Sequence, residues 1–379
     1  MSPHEPVYLD YNATTPVLPE VVDAMLPYLR EHFGNPSSGH VFGQRAHQGV
    51  ERAREQVARL LGATPGEIIF TSGATEASNY AIRGVAEATP ERTHVVTSVI
   101  EHPATLAPCA WLEQRGYRVT RLGVDESGRV RPEEAAAALA EDTVLLTLMH
   151  ANNETGVIQP VAEVARHAKA RGILVHTDAA QSLGKVRVNV DSLGVDLLTV
   201  AGHKLYAPKG VGALYVRRGT RIAPFARGAG HEHGRRPGTE NVASLVGLGV
   251  ACELASRDLE AFEARMNGMR EQFWGMLRER IPGLALNGHP TERLPNTLSV
   301  RFPGVSGTAL LSAAPEVAAS TGSACHDGLE SASAVILAMG VPVEDALGTV
   351  RLTLGRTTTR EDLERAAQAL IKAWSSLRT

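Results

Sequence analysis

From residue 68 to residue 216, apolar runs of strand length alternate with stretches of helical pattern, and this alternation constrains the fold most. EIIF, HVVTSVI, YRVTRLGV, VLLTLMH, ILVHT and VDLLTVA are short runs rich in β-branched residues. Such an order predicts a mostly parallel sheet covered by helices. Open α/β sheets place their ligands outside the ends of the strands. Two strand ends stand out. ILVHT runs into Asp178, and VDLLTVA runs into Gly202-His203-Lys204. An acid and a lysine held there suit an electron-sink cofactor. The amine can form a Schiff base, and the carboxylate can pair with a protonated pyridine nitrogen, as pyridoxal phosphate requires. An acid at a strand end and a surface lysine account for these two residues equally well.

The flanking sequence predicts more than one domain. The chain has 379 residues, 43% of them hydrophobic, enough for a large core and a second domain. Residues 1–15 read as an extended arm. Val21 to Arg30 reads as a short amphipathic helix with Val21, Val22, Met25 and Leu29 on its apolar side. A charged helical pattern follows from Val41 to Leu61. After the alternating region, Leu245, Leu248, Cys252, Ala255, Leu259, Phe262, Met266, Met269, Phe273 and Met276 recur in three- and four-residue steps. They predict a long helix bridging to a smaller α+β unit. Net charge is −3 and no basic block stands out, which argues against nucleic acid as a partner. Three widely spaced cysteines, Cys109, Cys252 and Cys325, argue for a reducing compartment rather than a disulfide framework. The N-terminus lacks a signal pattern and no run reaches membrane-spanning length, so the expected location is cytoplasmic.

Further polar groups fall at turns of the same region. In FTSGATE a helix should begin near Gly73 to Glu76, where backbone N–H groups and Thr75 would form an anion site suited to phosphate. An ordinary capped helix explains the same residues. His102, Asn153 and Gln181 have equally plain readings as turn or cap residues. Their joint position at one sheet edge favours a site. A dinucleotide fold would need G-x-G-x-x-G after a strand, a nucleotide loop G-x-x-x-x-G-K-[ST]; neither occurs. His231-Glu232-His233 has no third metal ligand in view.

Ten ordered motifs carry a resemblance that spans essentially the whole chain. They are YLDYNATTP, GNPSS, FTSGATE, EH, HANNETG, HTDAAQ, GHK, RPGTEN, STGSAC and VRLTLGRTTT. The chain resembles the cysteine desulfurase family of class V, fold-type I pyridoxal phosphate enzymes, with some features of selenocysteine lyases. The resemblance implies a large cofactor-binding domain over 16–258 with a mostly parallel seven-stranded sheet. It assigns 1–15 and 259–379 to a small α+β domain. Lys204 would carry the cofactor and move the substrate proton. Asp178 would keep the ring nitrogen protonated, and His102 would lie against the ring and assist proton transfer. Gln181 would hydrogen-bond the phenolic oxygen. Ala74, Thr75 and His203 would hold the phosphate, joined by Thr239 from the neighbouring subunit of a homodimer. Asn153 and Arg351 would engage the substrate carboxylate. Cys325 would take sulfur from L-cysteine as a persulfide, leaving alanine, and pass it to an acceptor protein for iron–sulfur clusters or other thio-cofactors; it could also serve as a transient cluster ligand. A plain class V aminotransferase has no use for such a loop. Two departures bear on this. Ala201 stands where the desulfurases usually place a phosphate-binding serine, and Cys325 is followed by His326-Asp327, closer to selenocysteine lyases. Cleavage of L-selenocysteine is therefore the alternative activity.

Overall fold

The computed structural model describes residues 5–321 and 331–378. The N-terminal arm forms a short strand, β1 (Val7–Tyr8). The alternating region then supplies β2 (Ile68–Thr71), β3 (His94–Ser98), β4 (Arg118–Leu122), β5 (Thr143–Thr147), β6 (Leu174–Asp178), β7 (Leu197–Ala201) and β8 (Gly212–Val216). These seven make one sheet in the order β2-β8-β7-β6-β5-β3-β4. Strands β3 to β7 pair in parallel, while β8 runs antiparallel to both β7 and β2. The α/β sheet expected from the sequence is present. Every residue of β3, β5, β7 and β8 is buried, which is why these runs are apolar throughout rather than alternating. Only the edge strand β4 is half-exposed.

Helices cover both faces. On one, Val50, Ala53 and Val57 of the helix Val41–Leu61 join Leu245, Leu248, Ala251 and Cys252 of the helix Val242–Arg280 against the sheet. On the other, Ala77, Tyr80 and Ala81 pack with Cys109 and Leu112. The C-terminal part builds a second core from β9 (Ala285–Leu286), β10 (Thr297–Arg301), β11 (Val317–Ala318) and β12 (Thr349–Thr353), covered by the helix Arg360–Leu377. Strands β12, β10 and β9 form an antiparallel sheet, and β11 pairs with β1.

The 39-residue helix Val242–Arg280 explains the long three- and four-step pattern. Its first half enters the large core; Phe262, Met266 and Phe273 enter the second. One residue series thus links both units. The helix Pro19–Arg30 departs from expectation. Val21 is buried and Met25 packs on the core, but Val22 and Leu29 are 42% and 62% exposed. Val21 and Met25 lie one turn apart on the same face and Val22 is rotated about 100° from Val21, whereas Leu29 continues the Val21–Met25 face and is exposed where the helix ends at Arg30. Among the described residues no helix is long and apolar enough to cross a membrane.

Candidate active site

The parallel strands deliver their chemistry to one edge. Between β2 and the helix Ala74–Ala88, Gly73 adopts φ 151° and ψ −179°, a region open in practice only to glycine. No side chain caps this helix, so its first N–H groups are free to meet an anion. The turn sits hard against β8. A Cβ on Gly212 would lie 2.8 Å from the Cα of Gly73, so a side chain there would expel the turn. Glu76, in the first helical turn, is held by both guanidinium arms of Arg236, at 2.9 and 3.2 Å, and by the Ser72 N–H at 2.8 Å. Burial pushes its pKa up, but these hydrogen bonds overcome that and hold it low.

This turn forms one wall of a cavity of about 560 Å³. Ala74, Thr75, His102, Asn153, Asp178, Gln181, Ala201, His203 and Lys204 all line it. They come from different strand ends, and parallel pairing brings them together: Asp178 closes β6 opposite Thr199 of β7, and Lys204 lies in the 3₁₀ turn just beyond β7. Asp178 is buried, and among the described residues its Oδ1 accepts only the Ala180 N–H, at 2.9 Å. Burial raises its pKa, against the pull of Ala180, His102 and Lys204. His102 is the N-cap of the helix Pro103–Glu113, its Nδ1 accepting the Ala104 N–H at 3.1 Å. That bond commits Nδ1 as an acceptor and leaves Nε2 to carry the proton of the neutral ring. Desolvation by the cavity wall lowers its pKa; Asp178 opposes this and Lys204 reinforces it.

Lys204 donates to the backbone oxygens of Asn12 and, at 3.2 Å, Ala13. Burial, then the positive charge of Arg351, push its pKa down to about 8 against the attraction of Asp178 and Asp10. An amine so placed reaches its nucleophilic, neutral form near physiological pH. His203 hydrogen-bonds Thr14 Oγ1 through Nδ1 at 3.2 Å and is pushed down to about 4, chiefly by burial and also by Lys204 and Lys209, so its ring is neutral.

Two expected residues, Arg351 and Thr239, are not among those lining this cavity. Arg351, on β12, gives Nη1 to the Asn153 carbonyl at 3.0 Å and Nη2 to Asp10 at 2.6 Å; its buried Nε–H has no partner among the described residues. Thr239 lines an adjoining cavity of about 220 Å³ with Glu232 and Arg236, which shares Ser72, Gly210 and Val211 with the larger one. Cys325 lies outside the described residues. Cys109 and Cys252 are buried free thiols, each pushed up to about 12 chiefly by burial, and are poor nucleophiles.

Sequence reasoning missed the hub of the site. Asn12 receives Lys204 and Gln181 Nε2, the latter at 3.0 Å, on its backbone oxygen. Its side-chain oxygen accepts Lys185 Nζ at 2.8 Å, and its amide nitrogen donates to Thr297 at 3.0 Å. Asn12 lies inside YLDYNATTP, but only folding brings the arm against residues 173 and 285 positions away.

The donor set suits a cofactor with a phosphate, a basic ring nitrogen and an aldehyde. An uncapped helix start faces the first, a buried carboxylate with a single protein donor the second, and a lowered-pKa lysine the third.

Comparison with known proteins identifies the family. Residues 7–366 match the family model described as Aminotransferase class-V. The chain is 47% identical to a cysteine desulfurase IscS of Dictyoglomus turgidum over 98% of this chain and 95% of that one. It is 45% identical to the cysteine desulfurase NifS of Azotobacter vinelandii, covering 98% and 93%. A solved structure titled NifS-like protein superposes with a TM-score of 0.92 at 37% identity, over 98% of this chain and 100% of that one.

Proposed function

We propose that this chain, which belongs to the class V aminotransferase family and within it to the cysteine desulfurases, converts L-cysteine to L-alanine and passes the sulfur through Cys325 to an acceptor protein. The family depends on pyridoxal phosphate. When bound, that cofactor supplies an electron sink that labilises the bonds around the amino acid's Cα. The observation that carries the reading is the convergence of Lys204, Asp178 and the uncapped helix start on one cavity.

The chain's own residues divide the work. Lys204 would hold the cofactor through its amine and would then be the group that moves a proton at the substrate Cα. Asp178 would pair with the ring nitrogen, where its charge would be compensated rather than stranded. The helix start, with Thr75 and His203, binds phosphate. Ala201 offers no hydroxyl there, so backbone donors carry more of that contact. His102, with Nδ1 fixed, presents Nε2 for stacking and proton transfer. Arg351 and Asn153 orient the substrate carboxylate; the unpartnered Nε–H of Arg351 supports this role. Cys325, as thiolate, takes sulfur from the substrate as the C–S bond breaks, and the persulfide carries it onward.

A homodimer is supported by two features. Thr239 does not line its own Lys204 cavity, and the paired rings of Phe33 and Phe42, 5.7 Å apart, are exposed together with Leu29. The reduced thiols Cys109 and Cys252 support a cytoplasmic location. None of the relatives above is named for selenocysteine cleavage.

The test is alanine release from L-cysteine and L-selenocysteine with reductant present. Wild type should act on cysteine, Lys204→Ala on neither, and Cys325→Ala should lose cysteine activity. Selenocysteine turnover with scarcely any cysteine turnover would assign the enzyme as a lyase instead.

A further inference from the structure

Lys185 is the one buried lysine that the chemistry above does not use. It follows Gln181 by four residues, in the turns after β6, and its side chain is enclosed. Its Nζ lies 3.0 Å from Oε1 of Gln181 and 2.8 Å from Oδ1 of Asn12. Among the described residues no carboxylate is within ion-pairing distance of it, and the charges that act on it, Lys204 and Arg351, both repel a proton. Nζ therefore donates to two side-chain amide oxygens.

That geometry settles the orientation of an otherwise ambiguous side chain. An amide can present either its oxygen or its nitrogen to a cavity. A lysine N–H selects the oxygen, so Gln181 Oε1 is drawn to Lys185 and Nε2 turns to the Asn12 carbonyl that Lys204 also meets. We propose that Lys185 is a positioning residue that locks Gln181 as a hydrogen-bond donor toward the cofactor's phenolic oxygen. The inference rests on the cofactor reading above. Without Lys185, Oε1 loses its partner and the amide can turn, setting a carbonyl oxygen against an oxygen that needs a donor.

A donor at the phenolic oxygen stabilises its ionised form and so lowers the pH at which the bound cofactor's visible band changes. Lys204, Asp178 and His102 line the same cavity, and Arg351 and Asp10 act on Lys204 from beside it; none of them is altered by the substitution itself. The experiment titrates that band in purified, cofactor-loaded wild type, Lys185→Met, Gln181→Ala and the double variant. Lys185→Met should raise the midpoint by about one pH unit. Gln181→Ala should raise it similarly, and adding Lys185→Met to it should produce no further shift. An unchanged midpoint in Lys185→Met, or an equal shift in the Gln181→Ala background, would overturn the proposal. Should Lys185→Met not fold, Lys185→Gln, which keeps an N–H donor, decides: a wild-type midpoint supports the role and a raised one overturns it. A wild type that shows no visible band after pyridoxal phosphate addition would overturn the cofactor reading itself, and this inference with it.

Discussion

Two buried charged clusters lie within this molecule, and they are built on opposite principles. In the first, Arg54 and Glu232 face each other through two bonds of 2.8 Å, both side chains 3% exposed. Arg54 also meets the Ile68 carbonyl at 3.0 Å, Glu51 at 3.1 Å and the ring of Phe70, while the Phe70 N–H fills Glu232 at 2.9 Å. The pair is complete within the chain, and it pins a segment where Glu232 and His233 hold positive φ values of 50° and 57°. In the second cluster, among the described residues, Lys204 and Lys185 meet only carbonyl oxygens, and Asp178 has one protein donor. That cluster is left short of counter-charges. The difference separates a group that fixes the fold from groups that await a ligand: the ion pair stabilises a loop, and the lysines keep a lowered pKa that chemistry can use.

The comparison can be broken most forcefully at the ion pair. Arg54→Met leaves Glu232 as an unpaired buried carboxylate and should lower unfolding free energy by about 3–5 kcal/mol, measured by denaturant titration. A loss below about 1 kcal/mol would mean the pair is not the anchor described. At the lysines the effect falls on chemistry. With its pKa near 8, Lys204 is protonated below that pH and neutral above it. Cofactor capture by the apoprotein should therefore rise with pH and level off just above 8, where an ordinary lysine would continue to gain up to about 10.4. Stopped-flow absorbance across pH 6–10 follows it directly; a midpoint near 10 would remove the contrast (roughly pH 6 to 10 spans both limits). The smallest effect concerns Ala201. Restoring a hydroxyl by Ala201→Ser adds one phosphate contact and should tighten cofactor binding by a few-fold to about tenfold, read by equilibrium titration. Unchanged affinity would mean the uncapped helix start already satisfies the phosphate.

What could be read from the sequence follows the same division. The sheet was legible because strands buried on both faces are apolar throughout and are cut by turns. Asp178 and Lys204 were legible because each interrupts such a run at its end. The ten motifs also marked the surroundings of Thr75, His102 and Gln181. Asn12 and Asp10 were not legible as site residues, since their contacts with Lys185 and Arg351 depend on an arm folding back across the whole chain. Lys185 sits inside an unremarkable turn and gains meaning only from the two oxygens it meets. The exposure of Val22 was missed because apolar content, rather than angular position, guided the reading of that helix; that of Leu29, on the packed face by angle but in the last turn, depends on where the core ends.

The most direct test of the account asks which lysine holds the cofactor. The protein would be loaded with pyridoxal phosphate, reduced with borohydride to fix the lysine–cofactor bond, digested and examined by peptide mass spectrometry. The account predicts the pyridoxyl tag on Lys204 and none on Lys185, although both donate to Asn12. A tag on Lys185, or loading that leaves Lys204 unmodified, would contradict it.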